Sequence, residues 1–279
     1  MLWADEVRAK GDGPFQFNLW IPDPPPHRER DHEDRLRAFL ESFGPAVAAN
    51  AGDATPLDFA AQCEALLVAR PPMVSSVMGR GARRRGYRRR CRGRAGNGSG
   101  RPSRLFRRWR SGTADDRAIC PASRCGRRGQ VPVVATGGIA DGRGVAAALL
   151  LGASAAQIGA ALLRAPEAKL APAWADALAR TAPEDTVVSR TFSGRAGRSI
   201  ATRYVRAATA VEAPPPAPYL VQRGLTLAMR RDAERANDVE RMQAWAGQSA
   251  WRARAEPAAK IVQDIWKDTR ELLDWNSFA

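Results

Sequence analysis

The stretch from Val131 to Gly144 reads VPVVATGGIADGRG, and its chemistry lies in the pair Gly137 and Gly138 with Thr136 before them. Glycine lets the main chain approach a ligand closely, and main-chain N–H groups at the start of a helix attract anions. A second apolar run, SAAQIGA, ends the same way at Gly159. Two such loops on neighbouring strands would make a cradle for a phosphate group. The same residues also suit a bare strand-to-helix turn, and the local pattern leaves both readings open. The stretch is neither the dinucleotide fingerprint Gly-x-Gly-x-x-Gly nor a Walker loop, because no Gly-Lys-Ser/Thr follows the glycines. Side-chain chemistry is sparse. The two histidines, His27 and His32, sit beside the turn DPPP as solvated loop residues. Cys63, Cys91, Cys120 and Cys125 lack paired metal-ligand spacing, so no metal site is expected, and reduced thiols in a cytoplasm are the simplest reading.

A phosphate cradle needs elements to present it. The continuous apolar run Val131 to Ala135 suits a strand of a parallel sheet buried on both faces, and Val145 to Leu151 supplies the crossover helix that such a sheet requires. With the second strand after Gly152, this is a compact βαβ unit. Upstream, PFQFNLWIP (Pro14 to Pro22) alternates like a strand and stops at proline. Leu36, Phe39, Leu40 and Phe43 share one helical face, and DFAAQCEALLVAR (Asp58 to Arg70) reads as a second amphipathic helix capped by Asp58 or Thr55. PPMVSSVMG is a short strand. Downstream, EAPPPAP (Glu212 to Pro218) marks a linker to a C-terminal helical section.

Charge divides the chain sharply. Between Gly79 and Gln130 there are 18 arginines, no lysine and two aspartates, which leaves 26 basic against 27 acidic residues elsewhere. The strongly basic character therefore belongs to one segment. Its Gly and Arg content cannot bury enough apolar surface to offset ordering, so residues 79–130 are expected to be a disordered insert. The abrupt borders and the Arg, Gly, Pro and Ala mixture fit a stretch translated out of an ancestral reading frame. A nucleic-acid-binding arm is the competing reading, with Tyr87, Phe106 and Trp109 for stacking and arginines for phosphates, expected to bind non-specifically. The resulting organisation is 1–78, ordered α/β material; 79–130, the insert; 131–211, the part carrying the glycine loops; and 212–279, a helical section. No apolar run approaches the ~20 residues of a membrane span, and no secretory pattern opens the chain.

Several of these stretches, in order, resemble the nitronate monooxygenase family, formerly called 2-nitropropane dioxygenases. VPVVATGGIADGRGVAAALLLGASAAQIGAALL followed by PEA resembles its FMN-binding signature. PFQFNLW is similar to its third barrel strand, RPPMVSSVMG to its fourth, DTVVSRTFSGRAGR to its post-barrel turn, and YLVQRGLTLAMR with MQAWAGQSA to its C-terminal helical region. The resemblance implies an α/β fold, an incomplete TIM (β/α)8 barrel of the FMN-binding type. It also implies oxidation of alkyl nitronates by dioxygen to a carbonyl compound and nitrite, with FMN as cofactor. Thr136, Gly137 and Gly138 would hold the FMN phosphate on one side, and Gly159 and Ala160 on the other. Ala160 stands where the family usually has threonine, which keeps the main-chain donor and removes a hydroxyl worth ~1 kcal/mol. Asn18 would face the flavin ring and Gln248 would border the site.

The family pattern is departed from in two places. Its first strand, with an Ala-Pro-Met-type turn, and its second strand have no counterpart before MLWADEVRAK, and its Gly-Gly-His-Arg-Gly-like stretch, whose histidine is the catalytic base, does not occur. No catalytic residue is therefore assigned, and impaired activity is expected. A related barrel, the flavin-dependent enoyl-carrier-protein reductase, is the nearer alternative.

Overall fold

The computed structural model describes residues 2–77, apart from positions 10, 12, 14, 54, 57 and 72, together with residues 133–275. The arginine-rich segment, with its expected disorder, lies outside the described residues, as do Val131 and Pro132.

The chain forms two compact units. Among the described residues, the first takes in those of 2–26 and 55–77, the second those of 27–54 and 133–275. In the first, helix α1 (Leu2–Ala9) precedes strand β1 (Gln16–Trp20), and helix α3 (Phe59–Ala69) precedes strand β2 (Met73–Val77). β1 and β2 pair in parallel from Gln16 opposite Met73 to Trp20 opposite Val77. The Asp58 side chain caps α3 by accepting the N–H groups of Ala60 and Ala61 at 2.8 and 3.2 Å. Arg70, left-handed at φ 44°, closes it just before Pro71. The structure departs from expectation in how α3 packs. Its sequence FAAQCEALLVA is apolar on every side, so it has no single face to bury, and none of its residues is buried.

The second unit opens with helix α2 (Arg30–Glu41), whose Leu36 and Leu40 are buried and whose Phe39 is partly so, as the sequence spacing predicts. Strand β3 (Val134–Thr136), helix α4 (Gly142–Leu150) and strand β4 (Ala155–Gln157) follow as a parallel βαβ unit. The helix begins three residues earlier than the Ala/Leu run suggests, because Asp141 caps it. Only Ala135 of β3 is buried; Val134 and Thr136 are half-exposed, and β4 exposes Ala155 and Gln157. Each strand has one described neighbour, and α4 covers one face of the pair through Val145 and Ala148, which join Ala135 and Ala153 in one apolar cluster.

Helix α5 (Pro172–Arg180) then leads to an antiparallel hairpin of β5 (Thr186–Ser189) and β6 (Gly197–Ile200), followed by helices α6 (Arg203–Ala208), α7 (Val221–Leu225), α8 (Leu227–Arg235) and α9 (Ala258–Trp275). The largest apolar cluster joins Leu36, Leu40 and Val47 to Phe192, Tyr204, Val221, Leu225 and Met229. Hydrogen bonds pin its centre: the Thr191 carbonyl accepts Tyr204 Oη at 2.9 Å and Gln222 Nε2 at 2.6 Å. Ala217, inside the stretch that reads as a linker, is buried in this cluster and donates its N–H to Gln222 Oε1 at 2.8 Å. The proline-rich stretch is thus fixed in the second unit. Among the described residues no helix is long and apolar enough to cross a membrane.

Candidate functional site

The register of β3 and β4 decides where the glycines stand. Thr136 lies opposite Gln157 in a parallel pair, and Thr136 Oγ1 donates to the Gln157 carbonyl at 3.3 Å. Both glycine loops therefore leave the same ends of neighbouring strands, which run about 5 Å apart. Gly137 and Gly138 have φ of 95° and 71°, a conformation that side chains disfavour. Gly159 starts a single 3-10 turn, Ala160–Leu162, whose first N–H groups have no carbonyl within the turn. A Cβ at Gly137, Gly138 or Gly159 would meet no atom of the described residues within 4 Å. Among the described residues both loops have room beside their glycines, and all three glycines are exposed.

The far end of the first loop is held by Asp141. Its Oδ1 accepts the Gly144 N–H at 2.9 Å, capping α4. Its Oδ2 lies 2.9 Å from Arg252 Nη1 and 3.2 Å from Arg143 Nη2. Burial opposes its charge, yet the Gly144 N–H and the two guanidinium groups together hold its carboxyl below the usual aspartate range. At the next residue, a Cβ on Gly142 would stand 2.5 Å from Asp268 Cβ and 2.8 Å from the Thr269 nitrogen, so α9 passes where only glycine fits.

A third segment reaches the second loop. The Ile200 N–H donates to the Ala244 carbonyl and the Ala246 N–H to the Arg198 carbonyl, which lays residues 244–246 along β6. Ala246 and Ala250 are buried with Leu178, and Ala160 packs against that cluster. A Cβ on Gly247 would lie 3.9 Å from Ala160 Cβ. The structure thus brings Thr136, Gly137 and Gly138 to one loop, Gly159 and Ala160 to the next, and the turn with exposed Gln248 beside Ala160. Asn18 lies in the other unit, exposed on β1 and opposite Ser75. His27 is an exposed loop residue 3.7 Å from the Glu29 carboxylate.

Asp141, Arg252 and Thr269 do not stand out in the sequence as candidates. An acidic residue before Gly142 is a local capping signal, so Asp141 was open to sequence reasoning. No spacing rule links it to Arg252 or Thr269.

Comparison with known proteins adds to this geometry. Residues 118–268 match the family model for nitronate monooxygenase. A probable nitronate monooxygenase of Staphylococcus aureus strain MSSA476 is 35% identical over 145 residues, 52% of this chain and 41% of that protein. Its counterpart in strain Newman is 34% identical over the same lengths. The chain thus matches about two fifths of the length of these curated relatives. Among solved structures, nitroalkane oxidase from Streptomyces ansochromogenes has a TM-score of 0.62 at 22% identity, covering 96% of this chain and 83% of its own. FabK from Thermotoga maritima has a TM-score of 0.56 at 22% identity, with 99% and 82% covered. These two share the fold.

Proposed function

The chain belongs to the nitronate monooxygenase family, and from that premise we propose that its two glycine loops bind the phosphate of FMN and that its reaction is oxidation of an alkyl nitronate by dioxygen to a carbonyl compound and nitrite. The observation that carries this is the pairing of the loops: they leave the same ends of adjacent parallel strands, with open space before Gly137, Gly138 and Gly159. A dianionic phosphate fits such a place, since close main-chain approach and several N–H donors need no side chain. When bound, FMN supplies the electron chemistry that no protein side chain can.

This chain's own residues would do the holding. Thr136, Gly137 and Gly138 offer the first loop, and Gly159 and Ala160 the second, where Ala160 contributes its N–H alone. Gln248, on the turn packed beside Ala160, borders the site, and Asn18 is assigned to the flavin ring by the family resemblance alone. The barrel is an incomplete TIM barrel of the FMN-binding type. Neither histidine stands in a Gly-Gly-His-Arg-Gly-like stretch. The nitronate's proton chemistry therefore has no assigned base, and turnover is impaired relative to cofactor binding.

Equilibrium titration with FMN, followed by oxygen uptake with a nitronate, tests this. The expected result is saturable FMN binding with slow, nitronate-dependent oxygen consumption and nitrite release. Protein that binds no FMN overturns the reading, and NADH consumption with an enoyl thioester in place of nitronate oxidation would move it to the enoyl-carrier-protein reductase.

A further inference from the structure

We propose that Arg252 and Thr269 are positioning residues for the glycine turn, so that the C-terminal segment 250–275 is a working part of the phosphate site; this rests on the FMN reading above. The turn has few supports of its own. Its upstream end is tied by the β3–β4 pairing, but Gly137 and Gly138 present no side chain, and no atom of the described residues lies within 4 Å of where their Cβ atoms would be. Its geometry is therefore set at the downstream end, at Asp141 and Gly142, and both of those residues are held by the C-terminal segment.

The first hold is ionic. One carboxylate serves two purposes: Asp141 Oδ1 caps α4 through Gly144, and Oδ2 meets Arg252 Nη1 at 2.9 Å. The Arg252 guanidinium lies 4.3 Å from the centre of the Trp251 ring and is 31% exposed, so its direction is fixed by stacking. Arg143, which also touches Oδ2, is 70% exposed and cannot fix anything comparably. The second hold is steric. The backbone of α9 at Asp268 and Thr269 closes on Gly142, and the fully buried Thr269 hydroxyl, bonded to the Ile265 carbonyl at 2.6 Å, lies 3.4 Å from the Gly142 carbonyl.

Arg252 also matters for charge. A carboxylate at the start of α4 stabilises that helix, but the same negative charge repels a phosphate approaching the loop in front of it. The Arg252 guanidinium neutralises Asp141 while leaving its capping bond intact. Removing Arg252 therefore loosens the turn and leaves the Asp141 charge beside the anion site balanced only by the exposed Arg143.

The test uses the full chain, with R252M, R252K and T269V beside the unsubstituted protein. Hydrogen exchange is read without flavin, and affinities for FMN and for riboflavin, which lacks the phosphate, are then read by fluorescence quenching. In R252M, amide exchange over residues 136–145 accelerates and the FMN Kd rises about fivefold, the scale of one ordinary net hydrogen bond, while the riboflavin Kd is unchanged. R252K restores both, and T269V accelerates exchange over the same residues. Unchanged exchange in R252M, or parallel loss of FMN and riboflavin affinity, overturns the proposal. Unsubstituted protein that binds FMN no better than riboflavin overturns the phosphate reading itself, and is distinguished because the exchange data are collected with no flavin present.

Discussion

Gly138 and Gly159 each have room for a Cβ among the described residues but differ in backbone, and a single methyl group separates the two properties. Gly138 has φ 71°, where a Cβ costs about 1–2 kcal/mol against the neighbouring carbonyl. Gly159 has φ −121° and no atom of the described residues within 4 Å of a Cβ, so an alanine methyl group fits there. Gly138→Ala is expected to lower folding stability by that amount in urea denaturation, and Gly159→Ala to leave it nearly unchanged. Both methyl groups occupy the proposed cradle, so both should weaken FMN binding by tenfold or more, about the cost of one displaced main-chain contact. A Gly159→Ala protein that keeps full FMN affinity would remove the second loop from the site. At this scale the sequence is informative where chemistry is local. Glycine after a strand, and aspartate ahead of a helix, each announce a backbone need. The pairing of Asp141 with Arg252 has no local signal, because it is made by the fold of the C-terminal segment around α4.

Among the elements, α2 shows how a face that is legible in sequence comes to be fixed by contacts that are not. The spacing of Leu36 and Leu40 predicts their burial, and both are buried. Nothing in that spacing predicts Glu33, which is 5% exposed and accepts Arg28 Nε and Nη2 at 2.7 Å each. Arg28 reaches on to Asp53 at 2.5 Å, and Arg37 donates to the carbonyls of Ala48 and Ala49, so α2 is stapled to the loop that follows it. The bonds from Arg28 outweigh burial and hold the Glu33 carboxyl below the usual glutamate range. A carboxyl with a lower pKa folded than unfolded contributes stability above its unfolded pKa, and loses it as pH falls through the folded value. Glu33→Gln should cost about 1–2 kcal/mol at neutral pH, the low end for charge-assisted bonds because Arg28 is 38% exposed and screened. The two denaturation curves should converge on acidification through the carboxylate range, and a difference that persists unchanged into acid would show that Glu33 acts through packing alone. Helix α3 marks the opposite limit. Its caps are legible in Asp58 and Pro71, but a helix apolar all round carries no periodicity from which to read a packing face.

For the molecule as a whole, the two units differ in what they bury, and binding should report that difference. The second unit holds the four apolar clusters, from Leu36 and Tyr204 to Ala233 and Met242. Among the described residues of the first unit, Leu19 is the only buried apolar side chain outside proline, while Leu67, Val68 and Met73 are more than half exposed. Apolar burial is the main favourable term in folding, at roughly 25 cal/mol per Å2, so the described residues of the first unit have little to offset their conformational entropy. Its strands are legible one by one, yet their sequence does not state how many neighbours each will have, and that number sets the burial. Heating should therefore release the first unit before the second instead of producing one cooperative transition. Both proposed phosphate loops belong to the second unit. A ligand stabilises only the structure it binds, by about 2.7 kcal/mol at a hundredfold excess over Kd. FMN should accordingly raise the later calorimetric transition and leave the earlier one in place, with peptide-level hydrogen exchange assigning the two. Equal shifts of both transitions would mean that the first unit, through Asn18 or its neighbours, contributes as much to flavin binding as the glycine loops do.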